Sequence, residues 1–387
     1  MVIKLTRRGV SIGLDHHIIA RVTRDLQPAE QRSDYVYWAD DLSKIRDQNL
    51  TGYLAALSSH EVTEEDYKAL GIPVVNITDV EGLKPGYIVR IEPGTDSMRI
   101  VYRPDSKHNT IFTTDRCNSN CIMCSQPPKD VEDSDATEKH LRLISLIENS
   151  PEAIGITGGE PTLLGDGLVT ILHSLKEKLP STYVHMLTNG RRYRDRNFTQ
   201  MIGDVKHPAF TSAVPLYADI AGIHDYVVQA EGAFDETVEG LYNCAESGLN
   251  LEIRVVLHKQ TYARLPQLAE FIYRNFPFVN HVALMGMEHM GYVKKNWNDL
   301  WIEPADYMPQ LEQAVRTLHY RGMRVSVYNL QLCLLPRSLW GVARQSISDF
   351  KNIYLEECDR CTMKSHCPGL FLSHERLHSA NIRAIAL

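Results

Sequence analysis

Between residues 110 and 288 the chain alternates between two patterns of apolar positions. Short runs rich in apolar and β-branched residues, such as IFTTD, AIGITGG and YVHMLTNG, are separated by longer runs such as LVTILHSLKEKL, whose apolar residues recur every three or four positions. The short runs predict strands and the longer ones predict amphipathic helices. Strands that alternate with helices favour a parallel sheet with right-handed crossovers, so this region is predicted to be α/β.

The alternation supplies six strand–helix units. The later strands are SAVPLYA, LEIRVVLH and HVALMGM, and the helices between them are FDETVEGLYNCAESG and LPQLAEFIYRNF. Six units predict a partial (β/α)6 barrel, in which ligands bind beyond the carboxyl ends of the strands. Residues that directly follow a predicted strand are therefore the first candidates for a functional site.

The regions on either side of the barrel have different patterns. Residues 52–103 combine short β-rich runs with one helical stretch, EVTEEDYKALG, and predict a small N-terminal α/β domain. A last helix, PADYMPQLEQAVRTLHYRG, and a strand, VSVYNL, lead to a cysteine-rich tail. We predict an accessory domain over 1–107, the barrel over 108–325 and a C-terminal domain over 326–387.

Composition and charge exclude several functions. With 43% hydrophobic and 23% charged residues the chain has the composition of a globular protein. The net charge of −7 argues against a protein that binds nucleic-acid backbones. No run of about 18 apolar residues occurs, and Arg7 and Arg8 are not followed by the apolar stretch of a signal peptide. We therefore expect a cytoplasmic protein without nucleic acid or membrane partners.

The cysteines fall into groups rather than along the whole chain. All eight come after residue 116, with one group early, one group late and Cys244 alone between them. Without a signal peptide, such grouping favours metal or iron–sulfur ligation over disulfides. Cys244 is predicted to be a small buried residue.

The early group is the segment TTDRCNSNCIMCSQPP, directly after the first barrel strand. Cys117, Cys121 and Cys124 have the spacing C-x3-C-x2-C. Three thiolates can bind three irons of a [4Fe-4S] cluster and leave the fourth iron without a protein ligand. A zinc loop is the alternative, because C-x2-C pairs are common in zinc sites and zinc prefers four protein ligands. The spacing alone leaves both interpretations open.

A second motif follows the next strand, where AIGITGGEPT places Gly158, Gly159 and Glu160. Together with C-x3-C-x2-C, this GGEP segment resembles the radical S-adenosylmethionine (radical SAM) superfamily. The resemblance implies an enzyme in which S-adenosylmethionine chelates the open iron of the cluster. It also implies reductive cleavage to a 5′-deoxyadenosyl radical, which removes a hydrogen atom from the substrate.

The resemblance also implies which residues bind the cofactor. Met123 is expected near the adenine, the two glycines would let the backbone approach the ligand, and Glu160 would accept a hydrogen bond from the ammonium group. Polar residues after the third strand and on the fifth strand complete the prediction. The cofactor-binding residues are thus Met123, Gly158, Gly159, Glu160, Asn189 and Arg254. No catalytic side chain is assigned.

The late group consists of Cys333, Cys358, Cys361 and Cys367. Its C-x2-C-x5-C element resembles part of the SPASM and twitch extensions of radical SAM peptide maturases, which carry auxiliary [4Fe-4S] clusters. Phe371 stands where the SPASM signature has its next cysteine, so the resemblance implies one auxiliary [4Fe-4S] cluster, with Cys333 as fourth ligand. A zinc site formed by the same four thiolates is the alternative. The nearby histidines that could replace Cys333 are His366, His374 and His378.

A narrower resemblance extends from about Gly82 to the tail. The segments CNSNCIMCSQPPKD, ALMGMEHMGY and QLCLLPRSLWGVARQSISDFKNIYLEECDRC are similar to the C-type radical SAM maturases of the His-Xaa-Ser repeat peptide system. This implies a ribosomally made precursor peptide as substrate, a companion radical SAM maturase, and a flavodoxin- or ferredoxin-type electron donor. A strand edge of the N-terminal domain could pair with the peptide.

Two further functions stay open. The first is a radical SAM enzyme that acts on a small molecule such as a nucleoside or a sugar. The second is a non-catalytic protein in which zinc or clusters hold an interaction surface.

Overall fold

The N-terminal part of the chain forms a mixed eight-stranded sheet. The computed structural model describes residues 5–78, 80–94 and 97–386. The strand order is β1-β8-β7-β3-β4-β5-β6-β2, and one helix, α1 (Glu64–Leu70), packs on it. The strands are β1 Thr6–Arg8, β2 Ser11–Ile12, β3 Ile18–Thr23, β4 Tyr35–Ala39, β5 Ala55–Ser58, β6 Val74–Asn76, β7 Ile88–Ile91 and β8 Ser97–Tyr102. The α/β character predicted for this region is present, and the sheet also includes four strands that precede residue 52.

The second sheet is parallel throughout and follows chain order from β9 to β16. Its strands are β9 Thr110–Phe112, β10 Ala153–Thr157, β11 Tyr183–Leu187, β12 Phe210–Pro215, β13 Asn250–Leu257, β14 His281–Gly286, β15 Val325–Tyr328 and β16 Ala343–Arg344. The helices are α2 Ala136–Ser145, α3 Asp166–Lys178, α4 Arg196–Asp204, α5 Ala221–Val228, α6 Ala233–Glu246, α7 Leu265–Asn275, α8 Tyr292–Lys295, α9 Trp297–Leu300 and α10 Pro304–Tyr320. This architecture confirms the prediction of an α/β partial barrel.

The sheet extends two strands beyond the six that the sequence assigns to the barrel, and the first of the two is the predicted strand VSVYNL. After β14 the amphipathic helix α10 crosses over and returns the chain to β15, and β16 then pairs in parallel with β15. The boundary predicted at 325/326 therefore runs through the sheet. The domain bounds otherwise remain a prediction.

Side chains along the barrel strands point alternately to an apolar core outside the sheet and to the barrel interior. Ile154 and Ile156 of β10 and Val184 and Met186 of β11 are fully buried and belong to one apolar cluster. Their neighbours are half-buried, because side chains of a strand point alternately to the two faces of the sheet. The interior face of the barrel is consequently available for a site.

The N-terminal sheet packs beside the first barrel strand. Ile19 of β3 and Tyr102 of β8 pack in one apolar cluster with residues of α2. The Arg142 guanidinium of α2 donates a hydrogen bond of 2.8 Å to Asp34. The tail returns to the same region, where the buried Arg103 pairs with Asp349 at 2.7 Å. Within the tail, β17 (Asn352–Ile353) and β18 (Leu370–Phe371) form an antiparallel pair.

None of the described helices is long and apolar enough to cross a lipid bilayer.

Candidate active site

A cavity of about 1560 Å³ occupies the barrel interior. It is lined by the early cysteines and by residues at the carboxyl ends of the strands, and it reaches both the N-terminal sheet and the tail. Of the residues predicted from the sequence to form the site, it is lined by Cys117, Cys121, Cys124, Met123, Gly159, Asn189 and Arg254. The fold therefore brings these residues to one chamber from the loops after β9, β10 and β11 and from the middle of β13.

The cysteine loop between β9 and α2 is anchored by a carboxylate. Asp133 accepts hydrogen bonds from the Thr114 hydroxyl and from Arg116 Nε, the latter at 2.9 Å. The Arg116 amide in turn donates to Thr114 Oγ1 at 3.0 Å. These contacts fix the backbone just before Cys117.

The two glycines of the GGEP segment contact this loop directly. Gly159 N donates to the Thr114 carbonyl at 2.6 Å, and Glu160 N donates to the Arg116 carbonyl at 2.8 Å. A Cβ atom at position 159 would lie 2.1 Å from the Arg116 carbonyl oxygen, and one at position 158 would lie 2.6 Å from that of Thr114. The missing side chains thus let β10 hold the cysteine loop, a role that the sequence did not indicate.

Other elements hold the middle and the end of the loop. Asn120 N donates to the Val228 carbonyl at the end of α5 at 3.0 Å, and Tyr292 N donates to the Cys124 carbonyl at 2.9 Å. Asn296 donates through its side chain to the Ile122 carbonyl at 2.8 Å. These contacts could not be predicted from the sequence, because each depends on how distant segments pack.

The three thiols are half-buried and lie close enough to interact electrostatically. Burial, together with a smaller effect of the neighbouring cysteines, raises the pKa of Cys117 to about 11 and that of Cys121 to about 12. Burial also raises the pKa of Cys124. Thiols that converge in this way become thiolates only when a bound cation compensates their charge.

The spacing of the thiols bears on the kind of metal centre they would hold. Within the part of the chain that the structure describes, no three histidine, cysteine or acidic side chains lie close enough together to bind one metal ion. A [4Fe-4S] cluster binds each thiolate to a different iron, so its ligands stand further apart than those of one zinc ion.

Glu160 links the ends of β10 and β11. Its carboxylate is fully buried and does not line the cavity. Oε1 accepts from Thr162 N at 2.9 Å, from Thr162 Oγ1 at 2.7 Å and from Thr188 Oγ1 at 2.6 Å, while Oε2 accepts from Asn189 N at 2.6 Å. Only Oε2 keeps capacity for a further donor.

Asn189 and Met123 lie beside the cysteines. The Asn189 amide donates to Asn118 Oδ1 at 2.6 Å and is 4.0 Å from Cys117 Sγ. Met123 is buried in an apolar cluster with Tyr217 and Met287 at the cavity wall. Both positions agree with residues that would face a ligand next to the loop.

Arg254 takes part in a charged cluster that the sequence did not predict. Its guanidinium donates to Glu252 Oε1 at 2.7 Å, and His281 Nδ1 lies 2.7 Å from Glu252 Oε2. His185 Nε2 is 3.3 Å from Glu252 Oε1 without the alignment of a hydrogen bond, and His281 Nε2 contacts Ser326 Oγ at 3.0 Å. Alternation along β11 and β13 places these side chains on the interior face.

We predict that Glu252→Gln destabilises the protein by roughly 2 kcal/mol at pH 7, since hydrogen bonds to a buried charge are lost. Burial by itself would raise the pKa of Glu252, but the contacts with His185 and His281 and the charge of Arg254 outweigh it and hold that pKa well below its usual value of 4.5. The stabilisation is thus present above about pH 4.5 and is lost as the pH falls below it. Urea unfolding of both proteins at several pH values measures the difference.

The matched control for this prediction is Glu239→Gln, whose side chain is 56% exposed. It should leave the free energy of unfolding close to that of the wild type. An equal effect of the two variants at pH 7, or a Glu252→Gln effect that does not shrink in acid, would contradict the prediction.

The four late cysteines come together in the tail. Cys333, Cys358, Cys361 and Cys367 line one small cavity with Arg383 and Ile385, and no histidine is among the described residues that line it. His374 Nε2 instead contacts the Met287 carbonyl at 3.1 Å, and His378 Nδ1 contacts the His374 carbonyl at 2.9 Å. Cys244 is separate and buried in α6.

Backbone amides point at the sulfurs of this tail site. Ile385 N donates to Cys361 Sγ at 3.4 Å. The backbone amide of Arg383 lowers the pKa of Cys333, and the amides of Leu332 and Gly369 lower that of Cys367, which partly offsets the effect of burial. Burial raises the pKa of Cys333 and of Cys367. Amide donors of this kind stabilise metal-bound thiolates, so the four residues are candidate ligands of an iron–sulfur cluster.

Part of the barrel is similar to a known superfamily. Residues 111–272 match the sequence model of the Radical SAM superfamily. The chain is 26% identical to the Fe-coproporphyrin III synthase of Methanosarcina barkeri over 264 residues, which cover 64% of each protein. It is 30% identical to the GTP 3′,8-cyclase of Petrotoga mobilis over 157 residues, 38% of this chain and 46% of that protein. The chain therefore spans less than two thirds of either relative.

Solved structures give a further likeness. The structure of Streptococcus suis SuiB bound to S-adenosylmethionine superimposes with a TM-score of 0.47 at 16% identity, over 57% of this chain and 50% of that one. The superfamily implies a [4Fe-4S] cluster and S-adenosylmethionine. Over residues 111–272, the chain thus carries a radical SAM enzyme domain.

Proposed function

We propose that the protein is a radical SAM peptide maturase. It would cleave S-adenosylmethionine reductively to a 5′-deoxyadenosyl radical that abstracts hydrogen from a residue of a ribosomally made His-Xaa-Ser precursor peptide, giving a crosslink or another modification. The observation that carries this proposal is the cavity of about 1560 Å³, in which the cysteine loop and the strand ends meet. Pockets for small ligands are usually about 300–1,000 Å³, so this one has room for a second, larger substrate.

Each of the residues predicted from the sequence has a proposed role. Cys117, Cys121 and Cys124 would hold the [4Fe-4S] cluster. The six cofactor-binding residues would position S-adenosylmethionine, with Asn189 and Met123 at the cavity wall and Arg254 deeper in the barrel. Gly158, Gly159 and Glu160 would act mainly by holding the cysteine loop and the end of β11, as their hydrogen bonds indicate.

The tail is proposed to hold one auxiliary [4Fe-4S] cluster on Cys333, Cys358, Cys361 and Cys367. Support comes from the shared small cavity and from the amide donors that face three of the four sulfurs. A zinc ion on the same thiolates is the competing assignment. Iron and zinc content per chain separates the two.

The substrate and the partners rest on the sequence resemblance. The segments that are similar to the His-Xaa-Ser maturases include MGMEHMGY after β14 and the stretch before Cys358. Both contribute to the cavity, where Glu288 pairs with Lys351 at 3.0 Å. A companion radical SAM maturase and a flavodoxin- or ferredoxin-type electron donor are proposed as partners on the same basis.

A labelled peptide tests the proposed substrate. The reconstituted protein, S-adenosylmethionine and a reductant are incubated with a synthetic peptide of three consecutive His-Val-Ser units, deuterated at its side-chain carbons. We expect deuterium to appear in 5′-deoxyadenosine, because the hydrogen is abstracted from the peptide. A peptide of the same composition in scrambled order is the control and should transfer much less.

The proposed peptide substrate is refuted if 5′-deoxyadenosine forms at the same rate with and without peptide and if the product formed with labelled peptide contains no deuterium. The second candidate is then a small-molecule radical SAM enzyme, which is favoured by the names of the two curated relatives, a coproporphyrin synthase and a GTP cyclase. Deuterium transfer from a labelled nucleoside or sugar would support it. Failure to cleave S-adenosylmethionine at all would favour a non-catalytic protein.

A further inference from the structure

The first barrel strand has a free edge. β9 is the terminal strand of its sheet and pairs only with β10, in the register Thr110 to Gly155 and Phe112 to Thr157. Gly155 N donates to the Asn109 carbonyl at 3.0 Å, and Thr113 N donates to the Thr157 carbonyl at 2.7 Å. Because residues of a parallel strand bond alternately to its two sides, the N–H and C=O groups of Thr110 and Phe112 point away from β10.

These groups have no protein partner. Among the residues that the structure describes, no hydrogen bond involves the backbone N–H or C=O of Thr110 or Phe112. Unpaired backbone groups at a sheet edge form a template for another strand. Thr110 is exposed and Phe112 is half-buried, so the edge is accessible to a binding partner.

The cavity with the cysteines extends around this edge. Its lining includes Ala213 and Glu252 inside the barrel. It also includes His140 and Leu143 of α2, which lie outside the barrel, and Arg90 of the N-terminal sheet. Thr110 and Phe112 of β9 also line the cavity, so it adjoins the free edge of this strand. The strand then runs into the cysteine loop, with Cys117 five residues after Phe112.

We propose that an extended segment of the peptide substrate binds in this cavity as an added strand on β9, pairing with the backbone of Thr110 and Phe112. The inference rests on the proposed peptide maturase function and specifies how the substrate is held. Only a peptide backbone offers alternating N–H and C=O groups at the two-residue spacing of the edge. Recognition through the backbone fixes the path of the chain toward the cysteines while leaving side chains free.

The competing edge is β1, one of the two outer strands of the N-terminal sheet, in the domain where the sequence predicts an edge that could pair with the peptide. Thr6 of β1 also lines the cavity. β9 is favoured because it leads directly into the cysteine loop, whereas β1 reaches the cavity from the opposite sheet. The experiment therefore includes a variant of each strand.

Proline substitution at the edge tests the proposal, since proline removes the N–H donor and is tolerated in edge strands. The probe is a fluorescein-labelled peptide of three His-Val-Ser units, and its dissociation constant is measured by anisotropy. Thr110→Pro should weaken binding about tenfold, the effect of about one hydrogen bond. Thr110→Ala, which keeps the N–H, should stay within about twofold. Thr6→Pro should bind like the wild type.

Hydrogen–deuterium exchange on the wild type keeps the test independent of any folding defect in the proline variant. Peptide should protect the amides of Thr110 and Phe112. Protection at residues 6–8 instead, or unweakened binding by a folded Thr110→Pro, would overturn the proposal. If the peptide is modified but does not protect the amides of β9, only the proposed binding strand is refuted. If the peptide neither binds nor reacts, the proposed maturase function is refuted as well.

Discussion

Replacing Cys117, Cys121 and Cys124 together with alanine is expected to abolish 5′-deoxyadenosine formation and to lower the iron content from about eight to about four per chain. The reason is that the three thiols converge on one cavity and no other cysteine lines it among the described residues. The remaining iron would belong to the tail. Anaerobic reconstitution followed by iron analysis and chromatography of the products measures both quantities.

Cys244→Ala is the matched control for this variant. Cys244 is fully buried in α6 and takes no part in either cysteine group. Its loss should lower stability slightly through a small cavity and leave the iron content unchanged. If the triple variant kept eight irons or still formed 5′-deoxyadenosine, the early cysteines would not be the ligands of the active cluster.

Gly159→Ala is expected to reduce 5′-deoxyadenosine formation by at least about tenfold and to lower the thermal midpoint, since overpacking of this kind costs about 1–3 kcal/mol. The added methyl group would lie 2.1 Å from the Arg116 carbonyl oxygen and 2.6 Å from its carbonyl carbon. Both atoms are backbone, so the cysteine loop itself must move. Product formation and thermal unfolding of the anaerobic protein measure the two effects.

Gly222→Ala controls for the removal of a glycine as such. No heavy atom lies within 4 Å of the position that its Cβ would take, and it is the second residue of helix α5. Alanine there should leave product formation unchanged and should not lower the midpoint. A Gly159→Ala protein with wild-type activity would mean that contact between β10 and the cysteine loop is not needed.

The sequence predicted the parts of the fold that local patterns encode. Strands β10 and β11 alternate in burial as their residues alternate in character, and the amphipathic helices between them have an apolar face. β3 is buried at all six positions, so its sequence shows no alternation of apolar and polar residues and predicts a strand less clearly. The extension to β15 and β16 depends on where α10 returns the chain, which no local pattern specifies.

The candidate site also has some features that are predictable from the sequence and others that depend on the three-dimensional fold. The cysteine spacing and the GGEP segment are local in sequence and could be recognised. The Glu252, His281 and Arg254 cluster joins strands 29 residues apart and required the register of the barrel to become visible. Similarly, the free edge of β9 follows from which strand pairs with which, and pairing is not encoded in the strand itself.

The most direct measurement is the yield of 5′-deoxyadenosine from S-adenosylmethionine by the anaerobically reconstituted and reduced wild-type protein, with iron and zinc measured in the same sample. The account predicts that 5′-deoxyadenosine forms and that the protein holds about eight irons and no stoichiometric zinc. Absence of 5′-deoxyadenosine with every reductant, in a protein that holds zinc in place of iron, would contradict it.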